Sequence, residues 1–412
     1  MVITMLLTLG MIGVPSASAG NDKKLKVFIL AGQSNMQGHA AVRTLPALAG
    51  DPAGNELLGA VLTRSGEPKV FRDVYVSYLT GGDKLKEGPL TVGFGALGRE
   101  PKIGPELTFG AYAREYFDGP ILIIKTAWGG KSLNTDFRPP SAGPYELPEA
   151  VQARWDKHPE GAHGVPSEEE RPEWWEKKNE ATGHYYRLMI DHVKKVLENP
   201  KQVHPGYNEK AGYEVAGLVW FQGWNDMVDR SYYPKRNQPD GYAKYTELLV
   251  HFIDDVRKDL SAPKMPVVIG VLGVGGKSTP ESEAARAPRY RGIKPALESA
   301  MSAPARMSKY KDTVAAVQTG LYWDHKLEAL DKRRGEVNKA AKEKAEEQNL
   351  DRHQRRALTE QMIDEAFTTE EKKRLAEKSN QGFHYMGSFR ILGQIGKAFA
   401  QEMAKLHGID PE

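Results

Sequence analysis

The sequence contains no cysteine among its 412 residues. Disulfides, thiolate metal sites, iron–sulfur clusters and a cysteine nucleophile are therefore excluded. An excess of either charge is missing as well, because 57 Lys and Arg face 54 Asp and Glu, for a formal net charge of +3. This balance gives no electrostatic reason to expect nucleic acid as a partner. The chemistry of the protein must come from hydroxyls, imidazoles, carboxylates and amides.

Long apolar runs are absent except at the N-terminus. There Val2–Val14 is almost wholly apolar, and the small residues Ala17–Ala19 (ASA) follow Pro15. This order matches the apolar core and cleavage site of a signal peptide, and the run is too short to span a membrane. No Lys or Arg precedes it, so the usual basic segment is missing. We predict that residues 1–19 are a signal peptide, that the chain is exported (to the periplasm or outside the cell), and that residues 20–412 form a single domain without a membrane span.

Six short apolar runs rich in β-branched residues alternate with segments of helical periodicity. This alternation predicts βαβ units and a parallel sheet. The predicted strands are Lys26–Ala31, Val74–Leu79, Gly119–Lys125, Val215–Phe221, Pro266–Leu272 and Thr313–Val317. The main predicted helices are Pro105–Tyr116, Tyr185–Glu198, Gly241–Leu260, Ile293–Met301 and Ser388–Leu406.

Two segments differ in composition from this core. Residues 134–180 are rich in Pro, Glu, Trp and Gly and are predicted to be a loop-rich addition, whose aromatic rings either stack on sugars or pack onto the core. Residues 324–378 are strongly charged, with alternating signs and a capping box at Thr368–Glu371. This pattern predicts a solvated helical insertion of two or three helices.

Ser34 is the first candidate for chemistry. It lies in Gly32–Met36 (GQSNM), directly after the first predicted strand. Open α/β sheets bind ligands at the carboxyl ends of their strands, and N–H groups at a helix N-terminus favour developing negative charge. A serine at such a turn has the position of a nucleophile for acyl transfer. The alternative is an N-cap serine with a purely structural role.

Further candidates follow later strands. Gly129 and Gly130 come after the third strand, where glycines let the backbone approach a ligand and direct an N–H at it. The fourth strand leads to an amide that can donate to an oxyanion, Asn225, and a carboxylate that can order a base, Asp226. His384 lies in a glycine-flanked loop before the last helix. No HExxH motif or other ligand spacing predicts a metal.

Together these blocks resemble the SGNH (GDSL-like) hydrolases. Within that superfamily, Ala31–Met36 (AGQSNM) and Trp220–Gly223 (WFQG) are similar to the sialate O-acetylesterase-like domain of carbohydrate esterase family six. The resemblance covers roughly residues 25–320 and 380–406, and leaves the charged insertion outside. It implies a flavodoxin-like three-layer α/β/α sandwich with a mostly parallel sheet, and neither a metal nor an organic cofactor. It also implies an acetylated carbohydrate as substrate, such as sialic acid or an acetylated plant or algal polysaccharide.

The resemblance also implies roles for individual residues. Ser34 would attack the ester carbonyl, and His384 would act as general base and later as general acid. The implied oxyanion donors are the N–H groups of Ser34 and of Gly129 or Gly130, and the side-chain amide of Asn225. The implied supporting amides are Gln33, Gln222 and Gln381.

Two departures from the family pattern concern the acid of the triad. SGNH enzymes usually carry Asp three residues before the catalytic His, where this sequence has Gln381. Related acetylesterases often carry Glu after Gln-Gly, where this sequence has Trp224. We predict that Asp226 is the acid. The alternatives are Asp324, or a Ser–His dyad whose imidazole is held by a backbone carbonyl or by Gln381.

Two other functions stay open, the first of them because the two usual acids are missing. One is a catalytically silent carbohydrate-binding protein on the same fold. The other is an esterase or thioesterase that acts on small acyl compounds other than sugars. The sequence does not predict an oligomeric state.

Overall fold

The computed structural model describes residues 22–81 and 84–411. The predicted signal peptide, residues 1–19, lies outside the described residues. Within the described part of the chain, no helix combines the length and apolarity that a membrane crossing requires.

The centre of the fold is a seven-stranded sheet. Its strands are β1 (Leu25–Gly32), β2 (Phe71–Thr80), β3 (Lys84–Leu90), β4 (Ile121–Ala127), β5 (Tyr213–Phe221), β6 (Val267–Val271) and β7 (Val314–Gln318). They lie in the order β3-β2-β4-β1-β5-β6-β7, and each neighbouring pair is parallel except β2 and β3. The predicted α/β class with a mostly parallel sheet is therefore confirmed. The antiparallel edge strand β3 was not predicted.

Helices cover both faces of this sheet. They are α1 (Ser34–Gln37), α2 (Pro52–Val61), α3 (Glu106–Tyr116), α4 (Glu149–Asp156), α5 (Arg171–Ala181), α6 (His184–Glu198), α7 (Trp224–Val228), α8 (Ala243–Asp259), α9 (Pro280–Ala284), α10 (Ile293–Ser302), α11 (His325–Glu347), α12 (Arg352–Ala366), α13 (Thr369–Leu375) and α14 (Phe389–Leu406).

Consecutive side chains of β5 show how the three layers are held together. Trp220 packs against Phe252 of α8 with ring centroids 4.2 Å apart, and Phe221 packs against Phe399 of α14 at 5.5 Å. Successive side chains of a strand point to opposite faces, so α8 and α14 cover opposite sides of the sheet. Because both faces are covered, the central strands are continuous apolar runs, and these runs made the strands predictable.

The segment 134–180 contains the helices α4 and α5 besides its loops. Its aromatic rings pack edge to face on one another: Trp155 lies 4.9 Å from Trp174, and Trp174 lies 5.1 Å from Trp175. Tyr145 joins them from the preceding loop. Of the two roles left open for these rings, the structure shows packing within the protein.

Three helices, α11 to α13, occupy most of the charged insertion. A buried ion pair joins it to the core. Arg390 of α14 binds the carboxylate of Glu377 through two hydrogen bonds of 2.7 Å each and also contacts Asp51 at 2.8 Å. The insertion is thus fixed to the helix that follows the His384 loop.

Candidate active site

The candidate residues meet in an open cleft of about 330 Å³ at the carboxyl ends of β1, β4 and β5. It contains the serine, the histidine, both glycines and the asparagine predicted from the sequence. The cleft is lined by Ser34, Gln37, His39, Gly129, Gly130, Trp224, Asn225, Phe383 and His384.

Ser34 is the first residue of α1, immediately after β1, and is 7% exposed. The turn depends on a close approach of two strand ends, because a Cβ on Gly32 would lie 2.2 Å from the carbonyl oxygen of Phe221. The backbone N–H of Gln33 donates to that same oxygen at 3.3 Å. As the first helical residue, Ser34 has a backbone N–H without an intrahelical acceptor.

Gly129 and Gly130 form the wall beside Ser34. A Cβ on Gly129 would lie 3.9 Å from the Cβ of Ser34, so the two backbones are close. Gly130 has a φ of +75°, a left-handed conformation that glycine adopts without strain. Within residues 22–81 and 84–411, no protein atom accepts a hydrogen bond from the N–H of either glycine. Both N–H groups are therefore available to a ligand.

Gln33 holds the side chain of Asn225. The Oε1 atom of Gln33 accepts from the backbone N–H of Gly223 at 3.1 Å, which fixes the orientation of the Gln33 amide. Its Nε2 then donates to Oδ1 of Asn225 at 3.1 Å. Since this contact uses the oxygen of Asn225, its amide nitrogen remains free to donate to an oxyanion. In the structure Gln33 thus contacts the predicted donor.

His384 has an amide partner that the sequence analysis missed. The Oδ1 atom of Asn380 accepts a hydrogen bond from the backbone N–H of Gln381 at 2.7 Å, so this atom must be an oxygen. The same oxygen lies 3.0 Å from Nδ1 of His384, which must then carry the proton. The other ring nitrogen, Nε2, is left with a free lone pair, the form that a general base requires.

A strained turn positions these two residues. Tyr385 and Met386 both have positive φ values, 50° and 58°, which non-glycine residues rarely adopt. The conformation is held by the buried hydroxyl of Tyr385, which accepts from the N–H of Gly273 at 2.8 Å, and by the carbonyl of Met386, which accepts from the N–H of Asn380 at 3.0 Å. The chain folds back on itself, and Asn380 lies beside the ring of His384.

A second imidazole, His39, stacks on His384. The ring centroids are 3.9 Å apart and the planes are 2° from parallel. Burial, then the neighbouring His384, lowers the pKa of His39 to about 3, whereas burial, then Lys102, lowers the pKa of His384 to about 4. Both rings are therefore neutral at neutral pH, so His384 can accept a proton. His39 was not predicted, because it belongs to no recognisable motif.

Asp226 does not lie beside His384. Its carboxylate is buried and accepts hydrogen bonds from the backbone N–H of Leu133 (2.7 Å) and Asn134 (3.1 Å), from Nε2 of Gln222 (2.6 Å) and from the hydroxyl of Tyr233 (2.9 Å). Burial raises the pKa of Asp226 to about 6 despite these bonds. Asp226 makes no hydrogen bond to His384, as the predicted triad acid would. Asp226 and Gln222 instead anchor the segment that follows the glycine pair.

Neither of the alternatives named for the acid is hydrogen-bonded to the ring of His384. Asp324 caps α11 and pairs with Arg374 at 2.5 Å. The side chain of Gln381 is exposed, and its backbone carbonyl accepts from the N–H of His384, not from the ring. No carboxylate of the described residues is hydrogen-bonded to His384. The described part of the chain also holds no group of three or more His, Asp or Glu side chains that could bind a metal ion.

Several known proteins are similar to this chain. Among solved structures, a protein from Arabidopsis thaliana is 14% identical, covers 72% of this chain and 86% of its own, and gives a TM-score of 0.36. A carbohydrate acetylesterase from Xanthomonas citri is 14% identical, with coverages of 67% and 47% and a TM-score of 0.33. NanS is 12% identical, with coverages of 73% and 79% and a TM-score of 0.37. No curated protein sequence matches the chain.

The sequence itself matches one family model, described as "Carbohydrate esterase, sialic acid-specific acetylesterase". The match covers residues 24–157 and 169–301, which include Ser34, both glycines and Asn225. It ends before the charged insertion and the His384 loop. Since the match extends over more than half of the sequence, the chain belongs to this family of carbohydrate acetylesterases and is a carboxylic ester hydrolase.

Proposed function

We propose that the protein is a serine esterase that removes O-acetyl groups from carbohydrates through an acetyl-enzyme intermediate. The observation that carries this proposal is the meeting of Ser34, His384 and three oxyanion donors in one cleft. Family membership supplies the reaction, which is hydrolysis of an acetyl ester of a sugar. The arrangement of the cleft supports the serine mechanism.

The first half of the reaction forms the acetyl-enzyme. Ser34 Oγ attacks the ester carbonyl while Nε2 of His384 accepts its proton. Negative charge develops on the carbonyl oxygen, and the N–H groups of Ser34 and Gly129 or Gly130 and the amide of Asn225 donate to it. Each such donor typically contributes about 2.7–4 kcal/mol to the transition state. The protonated His384 then gives its proton to the departing sugar hydroxyl.

The second half releases acetate. Water attacks the acetyl group, and His384 takes a proton from it and returns it to Ser34. In both halves Asn380 keeps the proton of His384 on Nδ1 and the lone pair on Nε2, as Asn does in the Cys-His-Asn group of papain-like proteases. The triad is thus Ser34, His384 and Asn380, with an amide at the position that a carboxylate usually occupies.

Acetate release by the purified chain tests this proposal. The substrates are p-nitrophenyl acetate and a panel of acetylated polysaccharides, and the variants are Ser34→Ala and, as matched control, Ser65→Ala at an exposed serine remote from the cleft. We expect turnover that Ser34→Ala abolishes and Ser65→Ala retains. A folded chain that releases no acetate contradicts the esterase and supports the silent carbohydrate-binding protein. Preference for longer acyl chains on a panel of esters contradicts the acetyl specificity.

We also propose that the chain is exported, on the basis of its apolar N-terminus and Ala17–Ala19. The test is expression of the full sequence with its N-terminus intact, followed by N-terminal sequencing of the protein from the medium or periplasm. Export with a new N-terminus at Gly20 is the expected result. Retention of the intact chain inside the cell contradicts it.

A further inference from the structure

A second pocket lies on the other side of Trp224. The indole of Trp224 lines both the cleft that contains Ser34 and a neighbouring pocket of about 400 Å³. This volume is within the range of sites that bind small molecules. Since the two spaces share this wall, they lie next to each other.

The second pocket is rich in positive charge. Three guanidinium groups line it, those of Arg230, Arg236 and Arg286, against a single carboxylate, that of Glu328. The carboxylate is already engaged, because Glu328 accepts from the indole N–H of Trp323 at 2.8 Å. Lys294 also lines the pocket and pairs with Glu298 at 3.7 Å, and apolar side chains form most of the remaining wall.

Two of the guanidinium groups have no carboxylate partner. Arg286 pairs with Glu283 at 2.8 Å. Arg236 donates to the backbone carbonyl of Met227 at 2.8 Å, and no carboxylate of the described residues pairs with it or with Arg230. Two unpaired guanidinium groups in one pocket attract an anion, and the planar fork of Arg binds carboxylate and sulfate oxygens through paired hydrogen bonds.

We infer that this pocket is a subsite for an anionic sugar, one that carries a carboxylate or a sulfate ester and is linked to the acetylated sugar. The inference rests on the proposed function, since it locates the acetylated sugar at Ser34. Trp224 and Tyr290 offer flat apolar surfaces to the sugar ring, while Arg230 and Arg236 bind its charge. The substrate class is therefore an acetylated acidic glycan, not a neutral one.

Binding to the full chain with Ser34→Ala tests this inference without turnover. The calorimetric probes are a glucuronic acid-bearing xylan oligosaccharide, a sulfated galactan oligosaccharide and the neutral xylan oligosaccharide. We expect at least one anionic probe to bind tenfold or more tightly than the neutral probe, and its affinity to fall with added salt. Loss of the preference after carboxyl reduction assigns the carboxylate, and loss after desulfation assigns the sulfate. Equal binding of neutral and anionic probes overturns the inference.

Added to the Ser34→Ala chain, Arg230→Gln and Arg236→Lys locate the subsite. Each should weaken the anionic probe by about 10- to 100-fold, the range for one lost charge-assisted hydrogen bond. The Lys variant keeps the charge and removes only the fork, which protects the test against misfolding at a residue that also holds Met227. The matched control is Arg352→Gln, at an exposed arginine of α12. Equal effects of all three changes overturn the inference.

Kinetics separates failure of the subsite from failure of the enzyme. If p-nitrophenyl acetate is not hydrolysed by the wild-type chain, the proposed function fails. If it is hydrolysed and acetylated acidic and neutral oligosaccharides show the same kcat/KM, only the subsite fails. A preference for long acyl chains that Arg230→Gln leaves intact also overturns the inference, because the pocket then binds the acyl group and not an anionic sugar.

Discussion

The amide of Asn380 leads to a prediction about the pH dependence of catalysis. In the wild-type chain the pKa of His384 is lowered to about 4, so the imidazole is a free base over most of the working range. Asn380→Asp keeps an oxygen 3.0 Å from Nδ1 and adds a negative charge to it. A carboxylate so close stabilises the imidazolium form, so the substitution raises the pKa of His384.

The size of this shift follows from the geometry. An opposite charge within about 4–6 Å moves a pKa by roughly one to three units, and each unit corresponds to about 1.36 kcal/mol. His384 is only half-buried, so solvent screens part of the interaction and the lower end of the range applies. We expect the acid limb of the kcat/KM profile to move upward by about one unit or more. Because the stabilised imidazolium also forms in the transition state, the plateau should rise.

The assay is kcat/KM for p-nitrophenyl acetate between pH 3.5 and 8, for the wild type, Asn380→Asp, Asn380→Ala and Gln381→Asp. Asn380→Ala should lower the plateau by about tenfold or more, because the ring loses the bond that fixes its tautomer. Gln381→Asp adds the same charge one residue away, on an exposed side chain. If Gln381→Asp moves the acid limb and Asn380→Asp does not, the assignment of Asn380 is refuted.

Three more predictions follow from other contacts. Asn225→Ala should lower kcat by about 10²- to 10³-fold with little change in KM, and a rise in KM alone would give Asn225 a binding role instead. Lys125 and Glu106 form a fully buried ion pair beneath the cleft, with 2.7 Å between Nζ and Oε2. Lys125→Met should therefore lower the free energy of unfolding in urea by about 3–5 kcal/mol, and adding Glu106→Leu should recover most of this loss. Equal losses in the single and the double variant would contradict this. The pKa of Asp226 is raised to about 6 in the folded state, so the folded state binds more protons than the unfolded state. The stability that this group contributes is therefore complete below about pH 4 and is lost as the pH rises through 6. Asp226→Asn should remove this slope from the free energy of unfolding, and an unchanged slope would exclude Asp226 as its source.

The sheet could be predicted because its signal is local. Strands covered on both faces are continuous apolar runs, and Ile121–Ala127 is wholly buried, so composition alone marks them. The edge strand β3 (KLKEGPL) was not predicted because it is mostly polar and contains Gly and Pro, which argue against a strand. It pairs with β2 from Thr80 opposite Lys84 to Phe71 opposite Leu90, and its own composition does not indicate this.

The cleft could be predicted only in part, for a related reason. Ser34, the glycine pair and Asn225 each follow a strand directly, so the edge of the sheet brings them together. The partner of His384 depends instead on the left-handed conformations of Tyr385 and Met386. Those conformations require the buried contacts of the Tyr385 hydroxyl with Gly273 and Thr319, which are far away in the sequence. No spacing rule relates Asn380 to His384 through such a turn, so the sequence indicated Asp226 instead.

No carboxylate of the described residues is hydrogen-bonded to His384, and in the proposed mechanism this changes where the transition state is stabilised. In a Ser-His-Asp triad the carboxylate stabilises the imidazolium, but it also brings a negative charge near the developing oxyanion. Here the partner of the ring is a neutral amide, and the neighbouring ring of His39 is neutral at the same pH. The imidazolium is therefore less stable, while the oxyanion meets N–H donors with no carboxylate at the ring to oppose it. In the proposed mechanism, more of the catalytic demand thus falls on Asn225 and the glycine N–H groups than on the histidine, and His384 stays a free base down to about pH 4 to 5.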